Sequence, residues 1–359
     1  IEKLFGEGRL WPGRLVQTYE RPDAIAGGSG AALIAATRAL PAGDARLADQ
    51  LASVILTEFA LADGISTWLS DAYRSGMVAN FMLSAAAVLL GLAYQPLGLE
   101  HGKWLFATAE FLALALILLI TWFGNRRGWH QRWFDARRVA EYLRHAPMLL
   151  PLGITRSAAR WPRGNSANWP EYHARHRMRA IGLPRVAITR AYLRMALEAL
   201  LAPHVTAQRD YHRAKARRLS AVHHRLDRLA EALFIAAVVS VSLYLGAQLL
   251  AAGGVIPHDR PHRASKLSTF LGVAFPTLAA SISAIRFFGD FERFSAISEV
   301  AAEKLDAVSQ RIGLLLTGPE SAVDYAAVAE LGRTIDEITI SEIEGWQSVF
   351  GGKHIALPA

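Results

Sequence analysis

Residues 77–94 read MVANFMLSAAAVLLGLAY, eighteen residues without a single charge. Three more apolar runs follow at 104–124, 232–252 and 267–285, and the only charged side chain in any of them is Glu110. A bilayer core about 30 Å thick is crossed by about 20 helical residues. Each run is therefore long enough to span a membrane, whereas a buried helix of a soluble protein is usually shorter and carries a polar stripe.

The four runs are grouped in pairs. Nine residues, QPLGLEHGK, separate the first two runs, and fourteen residues, GGVIPHDRPHRASK, separate the last two. A polar segment at 125–229 lies between the pairs. This layout predicts an all-α membrane protein with four transmembrane helices, arranged as two hairpins at 77–124 and 230–288, together with a cytoplasmic helical bundle.

Charge is unevenly distributed along the chain and predicts its orientation. Of the formal net charge of +8, the segment 125–229 contributes +16, with 22 Arg and Lys residues against six Asp and Glu. Residues 1–76 have a net charge of −2, and residues 289–359 have a net charge of −7. Since Lys and Arg near span ends favour the cytoplasmic side, we expect an inner (plasma) membrane protein with the basic segment and both termini in the cytoplasm.

Apolar spacing divides the remaining chain. Residues 1–43 are rich in Gly, Pro and Ala, and we interpret them as a linker or the remnant of an upstream domain. Residues 44–76 have an apolar residue every three or four positions, which predicts an amphipathic stalk helix capped by Asp44 and continuous with the first span. The basic segment 125–229 should end in a helix that leads into the third span. The acidic helices of 289–359 are expected to pack against the basic segment and the stalk.

Arginine and tryptophan are concentrated directly after the second span, in RRGWHQRWFDARRVAEYLRH. Such residues suit the headgroup zone and anionic lipids. A nucleotide- or acid-binding patch is the alternative, and Glu141 lies close enough in sequence to pair with its neighbours on a helix. The basic candidates for contact with headgroups or a ligand are Arg126, Arg127, Arg132, Arg137 and Arg138.

Few polar groups lie within the spans. Glu110 is placed on the same helix face as Thr121, and an intramembrane carboxylate usually faces a bundle interior or a water-filled path. Glu110 can equally pair with Lys103 or with a hydroxyl of another helix. Hydroxyl groups bond across helices or line a narrow pore. The intramembrane candidates are therefore Glu110, Thr121, Ser281 and Ser283.

No catalytic machinery is visible in the chain. There is no cysteine, so disulfides and thiolate metal sites are excluded. Twelve histidines are present, but without a metal-ligand spacing such as HExxH, and most lie among arginines. No P-loop, GxSxG or paired-carboxylate pattern occurs, and no nucleic-acid-binding signature accompanies the basic segment. We therefore expect no enzyme activity, metal, cofactor or nucleic-acid polymer as partner.

Several motifs carry a family resemblance: Tyr73-Arg74-Ser75 before the first span, WHQRWFDARRVAEYLR after the second, Tyr211-His212-Arg213, and Phe291-Glu292-Arg293-Phe294 after the fourth. Together with the two hairpins they resemble the bacterial SLATT-like, SMODS-associated four-transmembrane proteins linked to SLOG-type nucleotide sensors. The resemblance covers roughly residues 44–350. It implies a pore-forming effector of a bacterial conflict system, controlled through an attached sensor of a nucleotide-derived ligand. Because the chain begins at Ile1 without Met, we expect that sensor to lie upstream.

The functional prediction is a pore-forming or membrane-perturbing effector controlled by a cytoplasmic, nucleotide-sensing domain. Four spans rarely enclose an aqueous path, so the partners should be anionic lipid headgroups and further copies of the chain in a homo-oligomer. A non-conducting membrane anchor or scaffold for a cytoplasmic sensor or partner is the alternative. An enzyme, with its chemistry in an upstream region, is a distant third.

Overall fold

The computed structural model describes residues 19–155, 169–255 and 259–350. Every regular element in these residues is helical. The apolar runs lie in α3 (Thr57–Leu97), α4 (Lys103–Arg126), α9 (Ala202–Ala252) and α10 (Asp259–Gly289). The other helices are α1 (Ala31–Ala39), α2 (Ala45–Gln50), α5 (Trp129–Arg144), α6 (Ala146–Leu149), α7 (Trp169–Ile181), α8 (Arg190–Ala196), α11 (Phe291–Thr317) and α12 (Tyr325–Phe350).

The predicted stalk and first span form one helix. Asp44 caps α2, its carboxylate accepting a hydrogen bond from the backbone N–H of Leu47 at 3.1 Å, as the sequence predicts. A π-helical turn at Leu51–Leu56 joins α2 to α3, so the helix is uninterrupted from Ala45 to Leu97. It ends where Gly98 takes a left-handed φ of 67°, which glycine adopts without steric cost.

The polar helix before the third apolar run is likewise continuous with that run. α8, a second π-helical turn at Leu197–Leu201 and α9 together run from Arg190 to Ala252. The fourth run is followed by α11 after a single non-helical residue, Asp290, whose φ of 47° is left-handed. Three of the four apolar runs are therefore joined to long polar helices, and this connection was predicted for the first and third runs.

The apolar helices pack in a row, with α4 against α3, α3 against α10, and α10 against α9. Small residues allow the close approaches: Gly76 of α3 faces Ile120 of α4, and Gly272 of α10 faces Val241 of α9. Most of their surface is nevertheless uncovered. Of the 18 most apolar consecutive residues in the helix Arg190–Ala252, only 6% are buried. Lipid or another chain must therefore cover the remaining apolar surface of this helix.

The polar helices fold into a compact body around a large apolar core contributed by α1, α5–α8, α11 and α12, the polar half of α9 and the first turns of the stalk. A second, smaller core joins the body to the spans. It contains Tyr73 of α3, Trp133 of α5, Leu226 of α9, Ile285 of α10 and Phe294 of α11. Side chains of the body and of the spans therefore pack directly against each other.

The described part of the N-terminal segment packs into the body. Residues 19–43, which composition assigned to a linker or an upstream remnant, include α1 and place Ile25, Ile34 and Leu40 in the large core. Residues 1–18 of this segment lie outside the described residues, as do residues 156–168 of the basic segment and residues 351–359 of the predicted acidic tail.

Candidate functional site: a buried charge network above the spans

A carboxylate with two arginine partners is buried between the stalk and α5. Glu141, only 4% of whose side chain is exposed, lies 2.5 Å from Nη2 of Arg137 and 2.9 Å from Nε of Arg144. One arginine precedes it by four residues and the other follows it by three, so all three lie on one face of α5. Burial alone would raise the pKa of Glu141, but the two guanidinium groups outweigh burial and lower the pKa to about 2. The carboxylate is therefore ionised at neutral pH.

The same two arginines reach the stalk. Asp63 of α3 accepts from Arg137 at 3.1 Å and from Arg144 at 3.3 Å, so two cations share two carboxylates. Asp63 lies 14 residues before the first apolar run, which is about 20 Å along a helix. The network therefore connects α5 to the helix that continues into that run.

A second pair joins the acidic C-terminal helix to the basic half of α9. Nζ of Lys215 donates to Oε1 of Glu342 at 3.0 Å, and both side chains are about nine-tenths buried. Nε2 of His212 lies 3.6 Å from the other oxygen of Glu342, beyond hydrogen-bond distance. Burial lowers the pKa of His212, although Glu342 opposes this, so the imidazole is neutral at pH 7.

A narrow cleft separates the two parts of the network. Arg137 and Glu141 line it from α5, Lys215 from α9 and Glu342 from α12, and the aromatic rings of Trp133 and Phe134 close one wall. These aromatic residues also belong to the core that joins the body to the spans. The charge network (Asp63, Arg137, Glu141, Arg144, His212, Lys215 and Glu342) thus contacts the structural link to the membrane helices.

Two histidines extend the buried polar region. Nε2 of His204 lies 3.0 Å from Nδ1 of the fully buried His145. Burial, together with the nearby charge of Arg144, lowers the pKa of His204 to about 4, although Glu141 opposes this shift. His204 is therefore neutral at physiological pH. In the part of the chain that the structure describes, no group of three or more His, Cys, Asp or Glu residues is placed to hold a metal ion.

The five basic candidates fall into two groups. Arg126, Arg127 and Arg132 are exposed, and the first two cover the rings of Trp122 and Phe123 at 5.0 and 4.6 Å, respectively. Arg126 and Arg127 lie at the end of α4, and Arg132 lies in the first turn of α5. Arg138 is only 2% exposed and Arg137 is paired within the charge network, so neither has the exposure that contact with a headgroup needs, and contact with a ligand stays a prediction for them. The cause is tertiary: α5 turns this face toward the stalk and α9.

The intramembrane candidates mostly bond helix to helix within the chain. Thr121 of α4 accepts a hydrogen bond from the fully buried Asn80 of α3 at 2.9 Å. Ser281 of α10 donates to the backbone carbonyl of Phe81 in α3 at 2.8 Å. Ser283 is half-buried. These contacts explain Thr121 and Ser281 as interhelical bonds without a pore.

Glu110 is placed against a gap in the neighbouring helix. A Cβ atom at Gly91 of α3 would lie 2.8 Å from its carboxylate oxygen, so the missing side chain makes room for the acid. Lys103, one of the expected partners, instead lies over the ring of Tyr94 at 5.5 Å. Glu110 remains partly exposed on the side of α4 that also exposes Phe111 and Leu114.

Sequence reasoning missed Asp63, His212, Lys215 and Glu342 as members of a network. A signal was present. Glu342 follows Ile338 by four residues and Ile335 by seven, so it lies on the apolar face of α12, where a charge requires a partner. Lys215 precedes Leu219 by four residues and Val222 by seven, so it likewise lies on an apolar face of α9.

The chain has no match among protein-family models, curated proteins or solved structures. The evidence on function therefore comes from the helices of the described residues. Four of them are long and apolar enough to cross a membrane, which is the pattern of a multi-pass integral membrane protein.

Proposed function

We propose that this chain is an inner-membrane effector in which the helical body controls the arrangement of the spanning helices. In this proposal the body is cytoplasmic, the spans form two hairpins, and several copies assemble to make an ion-conducting or membrane-perturbing unit. The observation that carries the proposal is the continuity of helices between body and membrane. A change in body packing reaches the spans through these helices without an intervening flexible joint.

The charge network supports a body with two arrangements. Two arginines, a lysine and three carboxylates form ion pairs between α3, α5, α9 and α12, of which Glu141, Lys215 and Glu342 are buried and the other three are partly exposed. Buried ion pairs contribute little net stability compared with apolar packing, but they favour one arrangement strongly because a displaced charge is left unpaired. Such a cluster suits an equilibrium between two discrete packings that a signal can shift.

Oligomerisation accounts for the uncovered membrane surface. In the second candidate span only 17% of the residues in the apolar window are buried, and the partly exposed carboxylate of Glu110 lies on this helix. A carboxylate facing lipid is costly, whereas one at an interface between copies faces protein or water. We therefore place α4 at the interface between copies, with Glu110 next to the ion path.

A second candidate function is a non-conducting anchor that holds a cytoplasmic partner at the membrane. The hydrogen bonds from Asn80 to Thr121 and from Ser281 to Phe81 favour it, because they satisfy polar groups of the spans within one chain. In this case the body would be the functional surface. Oligomerisation would not be required.

Ion flux distinguishes the two candidates. The full-length protein is reconstituted in liposomes loaded with a fluorescent ion indicator, and Glu110→Gln is compared with the wild type. For a conducting assembly we expect flux in the wild type and a several-fold change in flux or ion selectivity in Glu110→Gln. Glu100→Gln is the control, because its exposed carboxylate pairs with Lys266 outside the apolar runs. Equal, near-background flux for all three proteins would favour the anchor.

Orientation is tested separately with single cysteines, since the natural sequence contains none. We expect Leu99→Cys, in the link between α3 and α4, to react with a membrane-impermeant maleimide in intact cells. Asp324→Cys, between α11 and α12, should react only after the membrane is permeabilised. Labelling of position 324 in intact cells would contradict the proposed orientation.

A further inference from the structure

We propose that the cleft between α5 and α9 is a binding site for a soluble phosphate-bearing anion, and that Glu342 occupies this site as an internal substitute. Binding of the anion would displace Glu342 and release the C-terminal turns of α12 from the body. The consequence for the spans rests on the proposed function. The binding step itself does not.

Two side chains of α9 face the carboxylate of Glu342. Nζ of Lys215 donates to one oxygen at 3.0 Å, while Nε2 of His212 lies 3.6 Å from the other oxygen, beyond hydrogen-bond distance. A carboxylate offers two oxygens in one plane, whereas a phosphate group offers three or four oxygens in a tetrahedral arrangement. A phosphate can therefore accept from both side chains.

The neighbouring groups favour an anion over a cation or a neutral molecule. Arg137 lines the same cleft, and its charge is held there by Glu141 and Asp63. Removal of Glu342 would leave Lys215 buried without this carboxylate partner, next to a second cation. The field in an emptied cleft is then positive, and a buried positive field binds anions strongly because water screens it poorly.

The position of the cleft indicates a soluble ligand and excludes a lipid headgroup. Lys215 precedes the third apolar run by 17 residues on a continuous helix, which is about 25 Å along α9. A phospholipid headgroup lies within several ångströms of the hydrocarbon boundary.

Binding is measured with inorganic pyrophosphate as the probe, by titration calorimetry on the full-length protein in phosphatidylcholine nanodiscs. We expect Glu342→Gln to bind pyrophosphate about tenfold or more tightly than the wild type, because the competing charge is removed. Glu342→Asp, with a shorter carboxylate, should fall between them. Lys215→Gln should lose binding in either background.

Glu330→Gln is the matched control. Glu330 lies on the same helix, but its pair with Arg311 is exposed, so its removal should leave pyrophosphate affinity unchanged. Equal affinities for the wild type, Glu342→Gln and Glu330→Gln would overturn the proposal.

Hydrogen exchange on the unaltered protein provides a readout independent of any variant. Saturating pyrophosphate should increase amide exchange at 339–345 in α12 and leave exchange in α4 unchanged. No change at 339–345 would refute the displacement. Release of α12 by phosphatidylglycerol nanodiscs without pyrophosphate would identify the anion as a lipid headgroup and would overturn a soluble ligand. If pyrophosphate binds but no ion flux is seen in liposomes, the binding site is supported and the proposed ion conduction is contradicted.

Discussion

Replacing Glu141 by Gln removes the central carboxylate of the buried network while keeping its size. Of the described carboxylates that pair with both Arg137 and Arg144, Asp63 would then remain. The amide of glutamine can still accept a hydrogen bond, but it cannot balance the charge of either guanidinium group. We expect the free energy of unfolding of the body to fall.

The magnitude follows from the pKa of Glu141. The ordinary value is 4.5 and the folded value is about 2. At about 1.36 kcal/mol per pKa unit, this difference corresponds to roughly 3 kcal/mol of stability at pH 7. Breaking a buried ion pair by removing one partner costs about 3–5 kcal/mol, which agrees.

The sign of the pH dependence is fixed by the same shift. Because the folded pKa is lower than the unfolded one, the contribution of Glu141 is complete above about pH 4.5 and is lost as the pH falls toward 2. The difference between wild type and Glu141→Gln should therefore shrink from roughly 3 kcal/mol at pH 7 to about half of that at pH 3. Comparing the two proteins at each pH cancels the titration of other groups.

The assay is guanidinium denaturation in detergent micelles, followed by tryptophan fluorescence at several pH values. Glu330→Gln serves as the control, since its exposed pair with Arg311 should contribute at most about 1 kcal/mol at any pH. A loss below about 1 kcal/mol for Glu141→Gln at pH 7 would refute the reasoning. A difference that stays constant between pH 7 and pH 3 would refute it equally.

Three further predictions concern the spans and their ends. Gly91→Leu should displace the carboxylate of Glu110 and weaken the packing of α3 on α4 by about 1–3 kcal/mol in SDS-induced unfolding. Gly246→Leu is the control, because no atom of the described residues lies within 4 Å of a Cβ atom at that position, and it should change stability by less than about 0.5 kcal/mol. Asn80→Leu and Thr121→Val should each cost about 1 kcal/mol in the same assay, and a double-mutant cycle should show a coupling energy of about 0.6 kcal/mol or more. Additive effects would mean that the hydrogen bond between the two side chains is absent in the membrane. Lys266→Gln should change the unfolding free energy by less than about 1 kcal/mol, because the side chains of Lys266 and its partner Glu100 are more than half exposed. A larger loss would show that the α3–α4 and α9–α10 links pack together more tightly than this exposure indicates.

Local chemistry was enough to predict most of the helices. Four uncharged or nearly uncharged runs predicted the apolar helices, and Asp44 marked the start of the stalk at the observed residue. Such signals act within a few residues, because they depend on chain length, capping and turn formation.

Helices and buried residues that depend on packing against distant parts of the chain were not predictable from local sequence. The segment 19–43 has the composition of a linker, yet Ile25 and Leu40 are buried because they pack into the large core of the body. Three-dimensional packing stabilises helices that local propensity alone does not support.

The amino-acid sequence alone determined that this protein has four apolar helices, a basic middle segment and acidic C-terminal helices, since length, hydropathy and charge are properties of each segment by itself. Only the tertiary structure decided which charges are buried together. Glu141 and Arg137 are four residues apart and their pairing follows from helix geometry, but Lys215 and Glu342 are separated by 127 positions. Their contact exists because the fold brings α9 and α12 together, with side chains of both helices and of α5 lining one cleft, and that arrangement depends on the shape of the whole core.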